Sequence, residues 1–507
     1  MTKIQYLSLT KFQRFLVNVG NFFKGIGRGF VNFFKGLPSK FLKLGYTISS
    51  PFRTLKDAMV NGTWFTRGNF LIFGFSQLFH REIMRGILYL LYEIVFIWFL
   101  VTTGVPFLSK LGSLGTFSRT STYFDPTSGT YPAIAGDESI KILLYSLVTI
   151  FLAVVFIVLW FLSIRDAKSL QDNIAVGRLS KNSQFFKDLT DKSYHTLLLA
   201  VPLVGLVAFT VIPVIFMVLI GFTNYNGQYH DTLFDWVAFD NYANFFSGFS
   251  GGNSNVIEVF LRVLAWTLLW ALIATFSNYI LGMVIALMIN RKGIKLKKLW
   301  RTVLIVTIAV PQFVSLLLIN RMLTNDGILT RLFVEWGWIK NNTNPFSSNV
   351  LLSRIIIIVV NMWVGVPYTM LISSGLLMNI PEDLYESARI DGASPFRMFM
   401  SITLPYMLFI TGPYLLSQFV GNINNFNIIY LLSQGAPKFT IPLPATYGAV
   451  GETDLLITWI YKMSMTGDQS DYAMASVLGI LVFVIIAFFS LITYSRSGSV
   501  KNEEDFQ

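Results

Sequence analysis

Two runs of residues place groups capable of chemistry inside otherwise apolar sequence. Gln418, Asn422 and Asn425 recur at i, i+4 and i+7, one stripe of an α-helix, with Asn424 and Asn427 beside them. Asn361, Gly365 and Tyr368 repeat that spacing. There Gly365 leaves room, and Pro367 removes a backbone donor and predicts a kink. A side-chain amide donates and accepts together, as a hydroxyl does, so these stripes suit a hydroxyl-rich ligand such as a sugar. The Tyr368 ring adds an apolar face for a pyranose. Interhelical hydrogen bonding, the common use of Asn and Gln in membrane bundles, is an equal alternative. No carboxylate falls on either stripe, which argues against ion or proton coupling there. Glu93 is a lone acid in another apolar run, expected to snorkel or to pair with a neighbouring helix.

Other chemistries lack their residues. Cysteine is absent, which excludes disulfides, thiolate metal sites and Cys nucleophiles. His80, His195 and His230 are far apart and share no metal-ligand spacing, so no metal site is expected. No Gly-Lys dipeptide occurs anywhere, so the chain has no P-loop. No Ser/His/Asp arrangement is recognisable, and an enzyme is not expected.

The elements that hold the stripes must cross a membrane. Apolar residues make up 53% of the 507 and charged residues 13%, with a mean hydropathy of +0.58. A soluble domain carries roughly 25% charged residues. That apolar load excludes a disordered or nucleic-acid-binding chain despite the net charge of +12. Eight segments reach the roughly 20 apolar residues that a span needs: 86–105, 140–163, 196–221, 260–289, 300–323, 351–377, 405–432 and 473–494. They are too long and continuous for barrel strands, so the fold is predicted to be an all-α polytopic membrane protein with eight transmembrane helices. With both termini cytoplasmic, the inner segments hold 29 of the 39 Lys and Arg, and Arg291, Lys292, Lys295, Lys297 and Lys298 vote most strongly. The first apolar run starts too late for a signal peptide.

Residues 1–82 read as a basic, Phe-rich extension, in which Asn-Phe-Phe-Lys-Gly occurs at 21–25 and again at 32–36. An 11-residue step keeps Phe22, Phe23, Phe33 and Phe34 on one helical face, which suits a helix lying on membrane lipid; a tail without a defined role is the alternative. Residues 83–257 hold the first three spans and short outer loops, 258–495 the remaining five spans with the loop 381–405, and 496–507 a cytoplasmic tail. The outer loop 222–258 is too small for an independent domain. The loop 433–472 is rich in Pro, Gly and Thr.

Between the sixth and seventh spans, residues 381–405 predict two short helices. Pro381 fits a first helical position, with Glu382 and Asp383 in the positive first turn. Gly392 fits a left-handed stop, and Ser394-Pro395 a cap and restart. Leu384 and Ala388 share a face of the first helix, as do Phe396, Phe399 and Met400 on the second. Ordering such a loop costs conformational entropy unless it docks on something, although a capped connector is the plainer reading.

This loop resembles the EAA loop of ABC importer permeases, whose pattern is Glu-Ala-Ala, three residues, Gly, nine residues, Ile, one residue, Leu-Pro. Glu386, Ser387, Ala388, Gly392, Ile402, Leu404 and Pro405 stand at the required spacing, with Ser387 as the one departure. From about residue 200 to 495 the chain is similar to MalF-like permeases of carbohydrate importers, including Asn361-Met-Trp-Val-Gly-Val-Pro-Tyr368, Asn424-Asn425-Phe426 and Thr453-Asp454-Leu455-Leu456. The resemblance implies a type I ABC importer permease fold, with the EAA loop as coupling helices seated on an ATPase dimer that binds the ATP and Mg. No cofactor is implied in this chain itself. A second, MalG-like permease and an extracellular sugar-binding protein are the other implied partners.

The large periplasmic insertion of Gram-negative maltose permeases is missing, its place taken by the loop 222–258. That implies a Gram-positive cell membrane and a lipid-anchored binding protein. By the same resemblance, sugar contacts fall on Val364, Gly365, Tyr368, Gln418, Gly421, Asn422 and Asn425, and the cargo is an oligosaccharide, maltose or maltodextrin first. Two positions depart from the maltose permease pattern: Gly421 replaces an aromatic residue and Gln418 a serine. An ion-coupled secondary sugar transporter is the competing class; it needs internal repeats and intramembrane acids, and neither is evident.

Overall fold

The computed structural model describes residues 52–80, 82–116, 136–177, 191, 194–228, 230–248, 254–291, 293–340, 343–465 and 469–496. The Phe-rich repeat at 21–36 and the tail beyond 496 lie outside the described residues. The described chain is helical, with isolated β-bridges such as Thr223 to Trp236 and no longer strand.

The long helices are α1 (Ile83–Lys110), α2 (Ser139–Ala175), α3 (Leu198–Ile220) and α4 (Ser254–Asn290). A bent pair follows, α5 (Lys297–Ala309) and α6 (Gln312–Met322), then α7 (Val350–Leu377). The connecting loop holds α8 (Glu382–Ile390) and α9 (Pro395–Met398) before α10 (Leu404–Ile423). The chain closes with α11 (Leu456–Ser464) and α12 (Tyr472–Arg496). Among the described residues seven helices are long and apolar enough to span a bilayer, and the bent pair makes eight when counted as one span.

Two expected spans come out differently. The stretch 300–323 is not one straight helix, because α5 and α6 meet at 85°. The cause is local. Pro311 clashes with a helical conformation at the residue before it, and Val310 is extended at φ −81°, ψ 122°. The seventh span ends at Ile423 rather than 432, and a short helix, Phe426–Ile428, and a π-turn, Ile429–Ser433, follow it.

The chain divides into two compact units, residues 1–112 with 141–212 and residues 113–140 with 213–507. In the first, a buried polar network lies beside apolar contacts such as Phe73 and Phe96 on Phe156. The Asn69 amide donates to Gln77 Oε1 and Ser163 Oγ, both at 2.9 Å, and Ser163 Oγ accepts from the Gly74 N–H at 3.0 Å. Glu93 joins it: its Oε2 accepts from the Phe73 N–H at 2.8 Å. Glu93 therefore neither snorkels nor pairs with another helix. A buried backbone donor costs about 1–3 kcal/mol when unsatisfied, and this carboxylate satisfies it.

The second unit is built on α4, which packs on both α7 and α10. Val256, Phe260, Val263, Trp266, Trp270 and Ala274 recur at three- and four-residue steps, and all are buried. Helix association in lipid depends on close packing rather than on apolar burial. Gly282 provides that closeness, since a Cβ there would stand 2.2 Å from Thr369 Oγ1 of α7.

The loop between α10 and α12 is fastened by a buried ion pair. Asp454 is fully buried, and its Oδ2 accepts from Lys462 Nζ at 2.6 Å and from the Gly451 N–H at 2.7 Å. Its Oδ1 accepts from the Thr458 hydroxyl at 2.8 Å. Burial pushes the Asp454 carboxyl above its ordinary value, against the pull of Lys462, the Gly451 N–H and the Thr458 hydroxyl.

Candidate functional site

The connecting loop forms from its caps. Pro381 is the N-cap of α8 rather than its first helical residue, with extended ψ of 131°, and Glu382 and Asp383 occupy the first turn. Gly392 stops the helix at φ +73°. The turn closes through Gly392 N–H to Arg389 O at 3.0 Å and Ala393 N–H to Ala388 O at 2.9 Å. Ser394 then caps α9 by accepting from the Arg397 N–H at 3.3 Å, with Pro395 at the start of the helix. The Tyr385 hydroxyl lies 2.8 Å from Thr403 Oγ1 and ties α8 to the π-turn Phe399–Thr403.

These bonds hold the two helices in a fixed relation while their apolar side chains face outward. Ile390 is 87% exposed and Phe396 69%, with Leu384 and Met400 also exposed. Glu386, Ser387 and Gly392 are exposed as well, and Ala388 and Ile402 are half-buried. Leu404 turns inward, onto a cluster of Tyr279, Met283 and Met407. Pro405 follows directly on the π-turn Phe399–Thr403, within helical backbone that runs on into α10. So the loop is anchored at its α10 end and open at α8 and α9.

The two predicted stripes fare differently. On α7, Asn361, Gly365 and Tyr368 keep their helical register, because α7 runs through Pro367 without a break. The space left by Gly365 is taken by the Asn278 amide of α4, which would stand 2.3 Å from an added Cβ. Tyr368 is 48% exposed, Val364 is half-buried and Asn361 is buried with its Nδ2 unpartnered.

On α10 the stripe does not extend to Asn425. The helix ends at Ile423, and Asn425 caps the following turn, its Oδ1 accepting from the Ile428 N–H at 3.4 Å. Consecutive asparagines compete for backbone bonds with their own side chains, which favours a stop here. Asn422 is buried, and its Nδ2 donates to Thr275 Oγ1 of α4 at 3.0 Å. It follows the alternative reading, that of an interhelical bond. Gln418 is half-buried. Gly421 is exposed, and a Cβ there would meet nothing within 4 Å.

Sequence reasoning missed the contribution of α4. Ser277 Oγ and Asn278 Oδ1 on α4, and Tyr414 Oη on α10, are buried without a partner. Only the fold sets Asn278 against Gly365 and Tyr414 near Tyr368, with the two rings 6.5 Å apart at 43°. Spacing from Gln418 could have found Tyr414, which lies one helical turn earlier. Among the described residues no three of His, Asp or Glu form a metal-binding group.

Residues 278–496 match the sequence profile of the family described as binding-protein-dependent transport system inner membrane component. The maltodextrin transport system permease protein MdxF of Bacillus subtilis is 32% identical over 453 residues, covering 86% of this chain and 95% of that protein. The maltodextrin permease MalC of Streptococcus pneumoniae is 29% identical over 438 residues, covering 84% and 94%. The galactooligosaccharide permease GanP of B. subtilis is 30% identical over 445 residues, covering 85% and 97%.

Proposed function

This chain belongs to the family of binding-protein-dependent transport system inner membrane components, and from that premise we propose that it forms one of two membrane subunits of an ATP-driven oligosaccharide importer. It is a permease subunit and not an enzyme; hydrolysis belongs to a separate ATPase. The observation that carries the reading is the capped loop 381–405, whose two fixed helices expose Leu384, Ile390 and Phe396 instead of burying them. Exposed apolar side chains on an ordered loop mark a docking surface.

The loop faces the cytoplasm with both termini, as the Lys and Arg distribution requires. It seats on the ATPase dimer, where ATP and Mg are bound. Closure of that dimer is passed through Tyr385, Thr403 and Leu404 into α10. A lipid-anchored binding protein delivers sugar from outside, and a second permease supplies the facing wall of the path. The cell is of Gram-positive type.

Maltodextrins are the proposed cargo, with Val364, Tyr368, Gln418 and Gly421 along the route, while Gly365, Asn422 and Asn425 are taken up by contacts within the chain. The relatives support that class without separating it from galactooligosaccharides, since both appear at similar identity. The test is uptake by proteoliposomes holding the chain with its second permease, ATPase and binding protein. Labelled maltotriose and galactotriose are offered with internal ATP, and separately with an ion gradient alone. ATP-dependent maltotriose uptake is expected. Uptake driven by the gradient without ATP would overturn the reading.

A further inference from the structure

We propose that residues 64–80 form an in-plane membrane anchor, a fold-back beside α1 and α2 whose Trp64, Leu71 and Phe79 insert among lipid acyl chains. The leaflet is the cytoplasmic one in the orientation proposed above, and the anchor itself is independent of ATPase and cargo.

The segment has the polarity of a water-soluble element turned inside out. Thr66, Asn69, Ser76 and Gln77 are buried, whereas Leu71 is 82% exposed, Trp64 72% and Phe79 61%. Trp64 and Phe79 both pack on Phe75, at 5.4 and 5.0 Å between ring centroids, and so make one aromatic patch. An outward apolar patch of this kind marks a contact surface, and Trp is a residue of the membrane–water interface. Lipid is the occupant that continuity favours. The span α1 starts three residues after His80 and exposes Ile83, Ile87, Leu91 and Ile94 at three- and four-residue steps, the surface of a lipid-facing helix.

The backbone of the turn is prepared for lipid as well. Without water, each N–H and C=O needs a partner inside the protein. Glu93 Oε2 accepts from the Phe73 N–H at 2.8 Å, Ser163 Oγ from the Gly74 N–H at 3.0 Å, and Asn69 Oδ1 from the Ser76 N–H at 2.6 Å. The Phe70 carbonyl accepts from the Trp160 indole at 3.1 Å. The ion pair of Arg85 with Asp166 marks the charged end of α1 and α2. Glu93 and Trp160 lie further into the spans by about 12 and 9 Å of helix rise. The turn is therefore fastened to groups on the apolar side of the charged layer, as suits an element immersed about 5–10 Å.

The chain contains no cysteine, so single sites can be spin-labelled in the full importer, its partner subunits made cysteine-free, in lipid vesicles. The variants are Leu71→Cys, Phe79→Cys and, as a water-side reference at the exposed end of α2, Asn173→Cys. Labels at positions 71 and 79 are expected to collide with oxygen, which dissolves in lipid, and to lose collisions with a water-soluble nickel chelate; the label at 173 should do the reverse. Nickel collisions at 71 and 79 as frequent as at 173 would overturn the anchor. Labels shielded from both agents would overturn it too, in favour of a partner subunit seated on the patch. Glu93→Leu removes the acceptor for the Phe73 N–H and should raise nickel collisions at 71, whereas Glu93→Gln keeps a carbonyl acceptor and should stay near wild type. If Glu93→Leu does not assemble, the labels at 71, 79 and 173 decide. Orientation is read separately: a label at 173 that an impermeant reductant reaches only from outside sealed cells would overturn the cytoplasmic leaflet and the proposed orientation, and not the anchor.

Discussion

At the scale of single residues, two glycines carry opposite arguments. Gly392 is needed for its backbone: its φ is +73°, and nothing lies within 4 Å of where a Cβ would be. A substitution there strains the turn without clashing, at about 1–2 kcal/mol for a residue with a Cβ. Gly392→Val is expected to impair both ATPase co-purification and uptake, whereas Gly392→Asn retains more of each, because Asn tolerates the left-handed region. Full transport with Gly392→Val would show that the turn is not part of coupling. Gly421 offers space, with nothing within 4 Å of where a Cβ would be. Gly421→Phe should narrow the range of oligosaccharide lengths taken up, and an unchanged preference across a maltodextrin ladder would contradict that.

At the scale of elements, the caps and the loop fastening decide what is rigid. Ser394 satisfies an orphan amide of α9, so Ser394→Ala should destabilise that short helix by about 1 kcal/mol. Faster hydrogen exchange at Arg397 in the free importer, slowed again when the ATPase is bound, is the expected signature. The Asp454–Lys462 pair fastens the loop between α10 and α12 in the same way. Asp454→Asn leaves Lys462 without its counter-charge, a loss of about 3 kcal/mol in a buried setting. A lower unfolding temperature of the assembled importer, with Lys462→Met partly restoring it in the double variant, would report that cost. Equal stability of Asp454→Asn and wild type would mean that the pair contributes nothing.

At the scale of the whole molecule, the proposed function draws its work from the separate ATPase. The chain has no P-loop, and no acid falls on either stripe. Importer vesicles depleted of the ATPase should therefore show no sugar accumulation under any proton or sodium gradient, and adding the ATPase back with ATP should restore it. The bent α5–α6 pair belongs to this scale too, because α5 packs on the continuous α7.

Sequence by itself determined the class, most of the spans and the loop. Each of these rests on local rules: apolar length against bilayer thickness, cap residues against orphan amides, and Gly392 at a left-handed stop. The same local rules, applied too far, carried the α10 stripe through Asn424 to Asn425, although the two side chains end the helix there. Only the tertiary structure decided which polar groups meet. Asn278 fills the space beside Gly365, Thr275 takes up Asn422, and Phe73 takes up Glu93. Periodicity gives the face on which a side chain lies, but its partner sits on another helix, and the packing of helices fixes that choice.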